Sequence, residues 1–478
     1  MATGRPLPRR AALPAALLLL AALGGSGCGT GGEGGARPGA AGAHDPLFPR
    51  LGNGGYDVAH YGLTLDYEPE GNRLGATAVI TARATQHLSA FNLDLKGLTV
   101  RSVRVDGEPA RFQRKGTELT VEPAEPVAKH RTFETTVVYD GQPQPVKDAD
   151  GSTEGWVETD HGAVGLGQPT GSMAWFPGNH HPSDKAAYDI AVTVPKGFTA
   201  VANGELKDTR DKGPKDDRRT TFSWHSGEPV ASHVASVAVG EFRVTTSRTR
   251  GGLPVYVAAH PKESEAAAKV AALIPEVLEW QSGLFGPYPF SSTGAVVDRN
   301  PYVGYELETQ PKPYFHGAPT DKLVVHELTH QWFGNALTPA TWRDMWLSEG
   351  FAQYSEWMWE EKRGGRSVRQ IFDDYYDGKD PESRGEDGES IWDFPPSDPQ
   401  AETVSDLPVY GRGAMVLHKL REKVGDRAFF ALVRNWAERY RHQNVSTQRF
   451  VEFCKDAEDV GDVFDVWLYG KGKPAVRR

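Results

Sequence analysis

Val325-His326-Glu327-Leu328-Thr329-His330-Gln331-Trp332-Phe333-Gly334-Asn335 is the stretch on which the reading of the chain turns. Wound as a helix, it sets His326 and His330 one turn apart, so both imidazoles leave the same face. Two nitrogens so placed can pinch one metal ion, and His-Glu-x-x-His on a helix is the pattern of a zinc peptidase site. Glu327 stands beside the first histidine, where it addresses the water of such a site and not the ion. A structural zinc is closed by four protein donors, whereas a catalytic zinc keeps a place open for water. One further carboxylate preserves that place. Glu349, in Trp346-Leu347-Ser348-Glu349-Gly350-Phe351-Ala352, is the best third donor and reads as the start of a second helix. The bland alternative is a surface helix with two polar histidines. The aromatic run after His330 and the second acidic motif weigh against it.

Together the two motifs resemble the aminopeptidase N-like gluzincin metallopeptidases, which share His-Glu-x-x-His, eighteen intervening residues and then Glu. The step from His330 to Glu349 keeps that spacing. The resemblance implies one zinc ion per chain, with His326, His330 and Glu349 as its ligands and Glu327 as general base. It also implies that Tyr410, in Val409-Tyr410-Gly411-Arg412-Gly413-Ala414, donates to the oxyanion of the tetrahedral intermediate. Arg412 stands where the family's Tyr-x-Lys-Gly has lysine. Gly304-Tyr305-Glu306-Leu307-Glu308-Thr309-Gln310 is similar to the family's exopeptidase strand, Gly-x-Met-Glu-Asn. That places Glu308 at the glutamate that captures a free α-amino group, while Tyr305 and Thr309 depart from the motif. Glu306 shares a strand face with Glu308 and is a second candidate for the cleft. Gln168 matches a glutamine that helps hold the substrate's N-terminal residue. Glu356, two turns beyond Glu349, is placed to orient a ligand histidine through its free ring nitrogen, with a surface ion pair as the alternative. Asp344 is a weaker case of the same kind.

The fold class expected is α+β. From Tyr56 to about Val244 apolar residues alternate with polar ones, as in Tyr61, Leu63, Leu65 and Tyr67, or Tyr188, Ile190, Val192 and Val194. Asp106-Gly107, Asp140-Gly141 and Asn203-Gly204 punctuate such runs as hairpins or turns. Residues 46–250 are therefore expected to form an antiparallel β domain of saddle or sandwich shape. Near residue 250 the period changes, and Val270, Leu273, Ile274, Val277 and Leu278 recur at helical spacing. The resemblance makes residues 251–478 a thermolysin-like, mostly helical catalytic domain. Thr320 or Asp321 would cap its metal helix and Gly334-Asn335 would stop it. The acidic stretch from Asp373 to Glu389 lacks periodicity and reads as a solvated loop beside the cleft. Helical periodicity resumes from Gly413 to Glu438 and again around Phe450 to Trp467. The chain ends at Arg478, so the large C-terminal helical domain of many relatives is expected to be missing and the cleft to be open.

Composition narrows the classes. A formal net charge of −10 with no basic cluster argues against nucleic acid as a partner. Arg5, Arg9 and Arg10 precede an apolar run from Ala11 to Leu23 that is too short for a mature membrane span. Residues 1–27 read as a signal peptide, and Cys28 after Gly24-Gly25-Ser26-Gly27 resembles the lipidated first residue of a bacterial lipoprotein. Gly25 departs from that signal, so plain secretion stays open. Residues 28–45 would be a flexible tether. Export is expected either way, with the membrane met only through an anchor at Cys28. Cys454, the other cysteine, has no partner for an internal disulfide.

The function expected is a zinc aminopeptidase acting on peptides with a free N-terminus. Two alternatives stand beside it: a zinc hydrolase with endopeptidase or non-peptide activity, and a non-catalytic binding protein that kept the fold.

Overall fold

A computed structural model describes residues 35–149, 151–214, 218–300, 312–385 and 388–475. The alternating runs form strands as expected. Tyr61, Leu63, Leu65 and Tyr67 lie buried on strand Tyr56–Glu68, and Tyr188, Ile190, Val192 and Val194 lie buried on strand Lys185–Pro195. These two strands are neighbours in an eight-stranded sheet and run parallel, with Tyr61 beside Tyr188 and Leu65 beside Val192. Every other pairing in that sheet is antiparallel. The one parallel pair departs from the expected antiparallel domain. It is possible because the chain makes a long excursion between the two strands, which parallel pairing requires. Along that excursion lie three strands of a four-stranded sheet and part of a five-stranded sheet that includes strand Gly162–Leu166.

The turn residues behave in three ways. Asp106 and Gly107, with φ of 51° and 83°, close a two-residue hairpin. Asn203-Gly204 instead links strands of two different sheets. Asp140-Gly141 ends strand Thr132–Gly141 still paired to its neighbour, and so is no hairpin.

A mixed four-stranded sheet follows, made of Arg243–Arg248, Pro254–Ala259, Thr293–Asp298 and Tyr314–His316. Residue 250 falls in the turn between its first two strands. Helix α1 (Ser264–Phe285) buries Val270, Leu273, Ile274, Val277 and Leu278. Helices α2 (Asp321–Thr329) and α3 (Trp346–Lys362) pack against each other, and α3 is buried from Trp346 to Trp359. Next comes α4 (Val368–Asp377), which replaces the expected loop over the first part of the acidic stretch. Ser367 and Gln370 form a capping box there, and Val368, Ile371, Phe372 and Tyr375 make an inward stripe. Helices α5 (Gly413–Val424), α6 (Asp426–Arg439) and α7 (Thr447–Ala457) follow; α5 and α6 cover the first run of helical periodicity, while the second breaks after Ala457 and resumes in the short helical turns Gly461–Val463 and Phe464–Leu468.

Lys312, which is buried, and Lys185, which is half-buried, join the β-rich part to the helical part in opposite directions. Lys185 Nζ donates to the carbonyls of Asn335 (3.1 Å) and Ala336 (2.8 Å). Lys312 Nζ donates to the carbonyls of Ala202 (3.0 Å) and Gly204. Burial pulls each ammonium down to about 7.

Candidate metal centre

Thr320 caps α2, its hydroxyl accepting from the Leu323 amide at 3.1 Å. From behind, Gln281 of α1 donates to the Val325 carbonyl (3.0 Å) and the Thr329 hydroxyl (2.7 Å). The regular helix ends at Thr329, earlier than Gly334-Asn335. The amides of Gln331 and Trp332 turn to the carbonyls of Leu328 and Thr329, a tighter winding than α. This swings the Phe333 carbonyl to 3.1 Å from His330 Nδ1. Gly334 then has φ of +123°, and a β-carbon there would lie 2.5 Å from Ser348 Oγ, so both backbone and space call for glycine.

Helix α3 delivers the carboxylate. Glu349 Oε2 lies 3.3 Å from His326 Nε2 and 3.4 Å from His330 Nε2. Zinc bonds of about 2.0–2.1 Å place neighbouring tetrahedral donors roughly 3.3 Å apart, so the spacing fits one zinc ion. All three side chains are buried. Glu349 Oε1 makes no hydrogen bond among the described residues, as expected of a donor reserved for an ion. Glu327 also borders the imidazoles, in a group with His326 and His330 whose donor atoms lie within 4.8 Å of one another. The near-equal approach of Glu349 to both rings fits the expected third ligand, with Glu327 beside the same two histidines.

The tautomers are fixed from behind. His326 Nδ1 lies 2.7 Å from Glu356 Oε1, the orienting contact expected at that position. His330 Nδ1 faces the Phe333 carbonyl, which only accepts, and Ser348 Oγ at 2.9 Å. Both Nδ1 atoms therefore carry protons, so both Nε2 atoms are the ones available to a metal ion. Burial works against a charge on His326, yet hydrogen bonds to Glu349 and Glu356 raise its pKa well above the usual value. Burial likewise works to raise the Glu349 carboxyl, but the charges and hydrogen bonds of His330 and His326 hold it low. The pocket is thus built around positive charge.

Tyr410 reaches the same place from another element. It lies on a π-helical turn, Pro408–Arg412, with its ring stacked near-parallel to His326 at 6.1 Å between centroids. Gly350 of α3 and Gly413 of α5 bring the two elements together. A β-carbon on Gly350 would lie 2.9 Å from the Gly413 carbonyl carbon.

The structure thus gathers His326, Glu327, His330, Glu349 and Tyr410. Gln168 sits, half-buried, on the loop after strand Gly162–Leu166, where Glu154 accepts from the amides of Thr170 and Gly171. Glu306 and Glu308 lie outside the described residues. Asp344 serves elsewhere, accepting from the amides of Thr341 and Thr447. Ser348 is the site residue that the sequence did not single out, its only signal being its place next to Glu349.

A family model described as Peptidase M1 N-terminal domain matches residues 58–232, and one described as Peptidase family M1 domain matches residues 315–472. Glutamyl aminopeptidase of Bos taurus is 26% identical over 348 residues, 68% of this chain and 35% of that protein. The chain thus spans about a third of the length of the glutamyl aminopeptidases that it matches. Leukotriene A-4 hydrolase of Xenopus laevis is 24% identical over 462 residues, 88% of this chain and 73% of that protein. Among solved structures, an M1 zinc metallopeptidase from Deinococcus radiodurans aligns with a TM-score of 0.81 at 26% identity, covering 91% of this chain and 99% of that one. A mutant of that enzyme bound to a Tyr-Ser-Ala substrate aligns with a TM-score of 0.78 at 27% identity, over the same shares of the two chains.

Proposed function

The chain belongs to the peptidase M1 family, and on that footing we propose that it is an exported zinc aminopeptidase that removes N-terminal residues from peptides. The observation that carries the reading is the seat of Glu349 Oε2 within 3.4 Å of the inward nitrogens of both His326 and His330.

His326, His330 and Glu349 would hold the zinc. When bound, the ion would lower the pKa of water and polarise the scissile carbonyl. Glu327 takes the proton of the attacking water and returns it to the leaving amine. Tyr410 donates to the oxyanion as the carbonyl becomes tetrahedral. Glu308 is the partner for the substrate's ammonium, which would fix the register of cleavage at the first residue, with Glu306 and Gln168 as further substrate-binding residues. The leader at residues 1–27 carries the chain out of the cytoplasm, with Cys28 as the lipid attachment point.

A second reading, a zinc hydrolase of broader or non-peptide substrates, draws on the long match to leukotriene A-4 hydrolase. One experiment separates the two. Alanyl arylamide and its N-acetylated twin are compared, with Glu327→Gln as control. The aminopeptidase reading expects hydrolysis of the free amine alone, and its loss in the variant. Equal turnover of both substrates supports the broader hydrolase, and an unimpaired variant removes Glu327 as the base.

A further inference from the structure

The turn that carries Tyr410 is fastened on three sides. In front, Gly413 meets Gly350 of α3. Beneath, the ring of Tyr375 fills the space that a β-carbon on Gly411 would need, at 2.8 Å. Behind, Arg412 points away from the metal centre and is fully buried. Its Nε donates to the Trp467 carbonyl at 3.0 Å and its Nη1 to the Phe394 carbonyl at 3.3 Å, while Nη2 reaches the Gly470 carbonyl. The guanidinium also lies 5.5 Å from the Trp392 ring centroid. No carboxylate pairs with it among the described residues, and burial pulls its pKa down to about 10.

A buried cation without a counter-ion is costly unless its hydrogen bonds are met. Here three main-chain carbonyls meet them, one at residue 394 and two in the segment 467–470. A planar guanidinium can span several acceptors held in fixed directions, which a single ammonium cannot do. The contact is thus built for geometry. What it holds is a π-helical turn, a winding that needs outside support. The residue two places before Arg412 is Tyr410.

We propose that Arg412 is a positioning residue for Tyr410. By tying the turn to the carbonyls of Phe394, Trp467 and Gly470, it fixes the phenol over His326 and acts on the reaction only through that phenol. The proposal rests on the reading of Tyr410 as the oxyanion donor.

A double-mutant cycle on alanyl arylamide tests it, with zinc content and thermal unfolding measured for each variant. Tyr410→Phe should lower kcat by about 100- to 1,000-fold. Arg412→Met should lower kcat by roughly 10- to 100-fold, with KM changed less than about threefold, since a small misplacement of a reacting group is that costly. The double variant should be no slower than Tyr410→Phe alone, within about threefold, because residues acting as one unit are not additive. Losses that multiply, or an effect confined to KM, overturn the proposal. Wild-type kcat in Tyr410→Phe defeats the reading of Tyr410 itself, whatever Arg412 does. If Arg412→Met does not fold, Arg412→Lys keeps a cation in the cavity and is carried through the same cycle. A loss of about tenfold that vanishes in the Tyr410→Phe background supports the proposal, as one ammonium cannot reach three carbonyls. A loss that persists there, or no loss at all, overturns it.

Discussion

Glu356 Oε1 lies 2.7 Å from His326 Nδ1, so the carboxylate that orients one metal ligand stands on the same helix as Glu349, another ligand. Glu349 and Glu356 are two turns apart on α3 and so share a face. One helix therefore sets both the third ligand and the tautomer of the first. Orienting partners of this kind typically contribute about 10- to 100-fold in metal affinity. Glu356→Ala should weaken zinc binding by that amount, read by competition with a chromophoric chelator. Ser348→Ala should cost less, since the Phe333 carbonyl still accepts from His330 Nδ1. Equal losses in the two variants would contradict this division of labour.

Gly350 offers a case where two effects predict opposite signs. By helix propensity alone, Gly350→Ala gains up to about 1 kcal/mol. The new β-carbon would lie 2.9 Å from the Gly413 carbonyl carbon and 3.1 Å from its Cα, both backbone atoms with little room to shift. Overpacking of this kind costs roughly 1–3 kcal/mol, so the clash should win. Thermal unfolding of Gly350→Ala should show a lowered midpoint, together with reduced kcat as α3 and the Tyr410 turn separate.

Lys185 and Lys312 make stability depend on pH on the alkaline side of neutrality. Each is pulled down to about 7 by burial, from an ordinary lysine value of 10.5. Between those values the unfolded chain binds more protons than the folded one, so stability rises with pH. The penalty is fully present below pH 7 and is relieved as pH climbs above it. The contribution of each lysine to the unfolding free energy should therefore increase between pH 7 and 9, with proton uptake on unfolding. Lys185→Met should remove one of these contributions, so the slope in the variant should be less positive than in the wild type. An unchanged slope in the variant would show that Lys185 is not the titrating group.

The sequence revealed the chemistry more readily than its supports. His326 and His330 were legible because ligand spacing on a helix follows from its pitch, and Glu349 because its distance from His330 resembles the family's spacing. Tyr61 to Tyr67 were legible because a half-buried strand alternates. The parallel neighbour of that strand was not, since pairing between segments more than a hundred residues apart leaves no local pattern. Helix α4 was obscured by Asp373, Asp374 and Asp377 on its outer face, though Ser367 and Gln370 carried a capping signal. The early end of α2 and the part played by Ser348 depend on the Phe333 carbonyl, a main-chain atom that no side-chain pattern encodes. Arg412 read as a retained charge, and only the fold shows that the charge turns inward to carbonyls.

The central claim is that His326, His330 and Glu349 form one zinc site on which hydrolysis depends. Its most direct test is the zinc content of the purified protein, measured alongside hydrolysis of alanyl arylamide before and after chelation. One zinc per folded chain is predicted, with activity lost on chelation, restored by zinc, and both lost in His330→Ala. A folded protein that holds no metal, and whose hydrolysis is indifferent to chelator and to added zinc, would contradict the account.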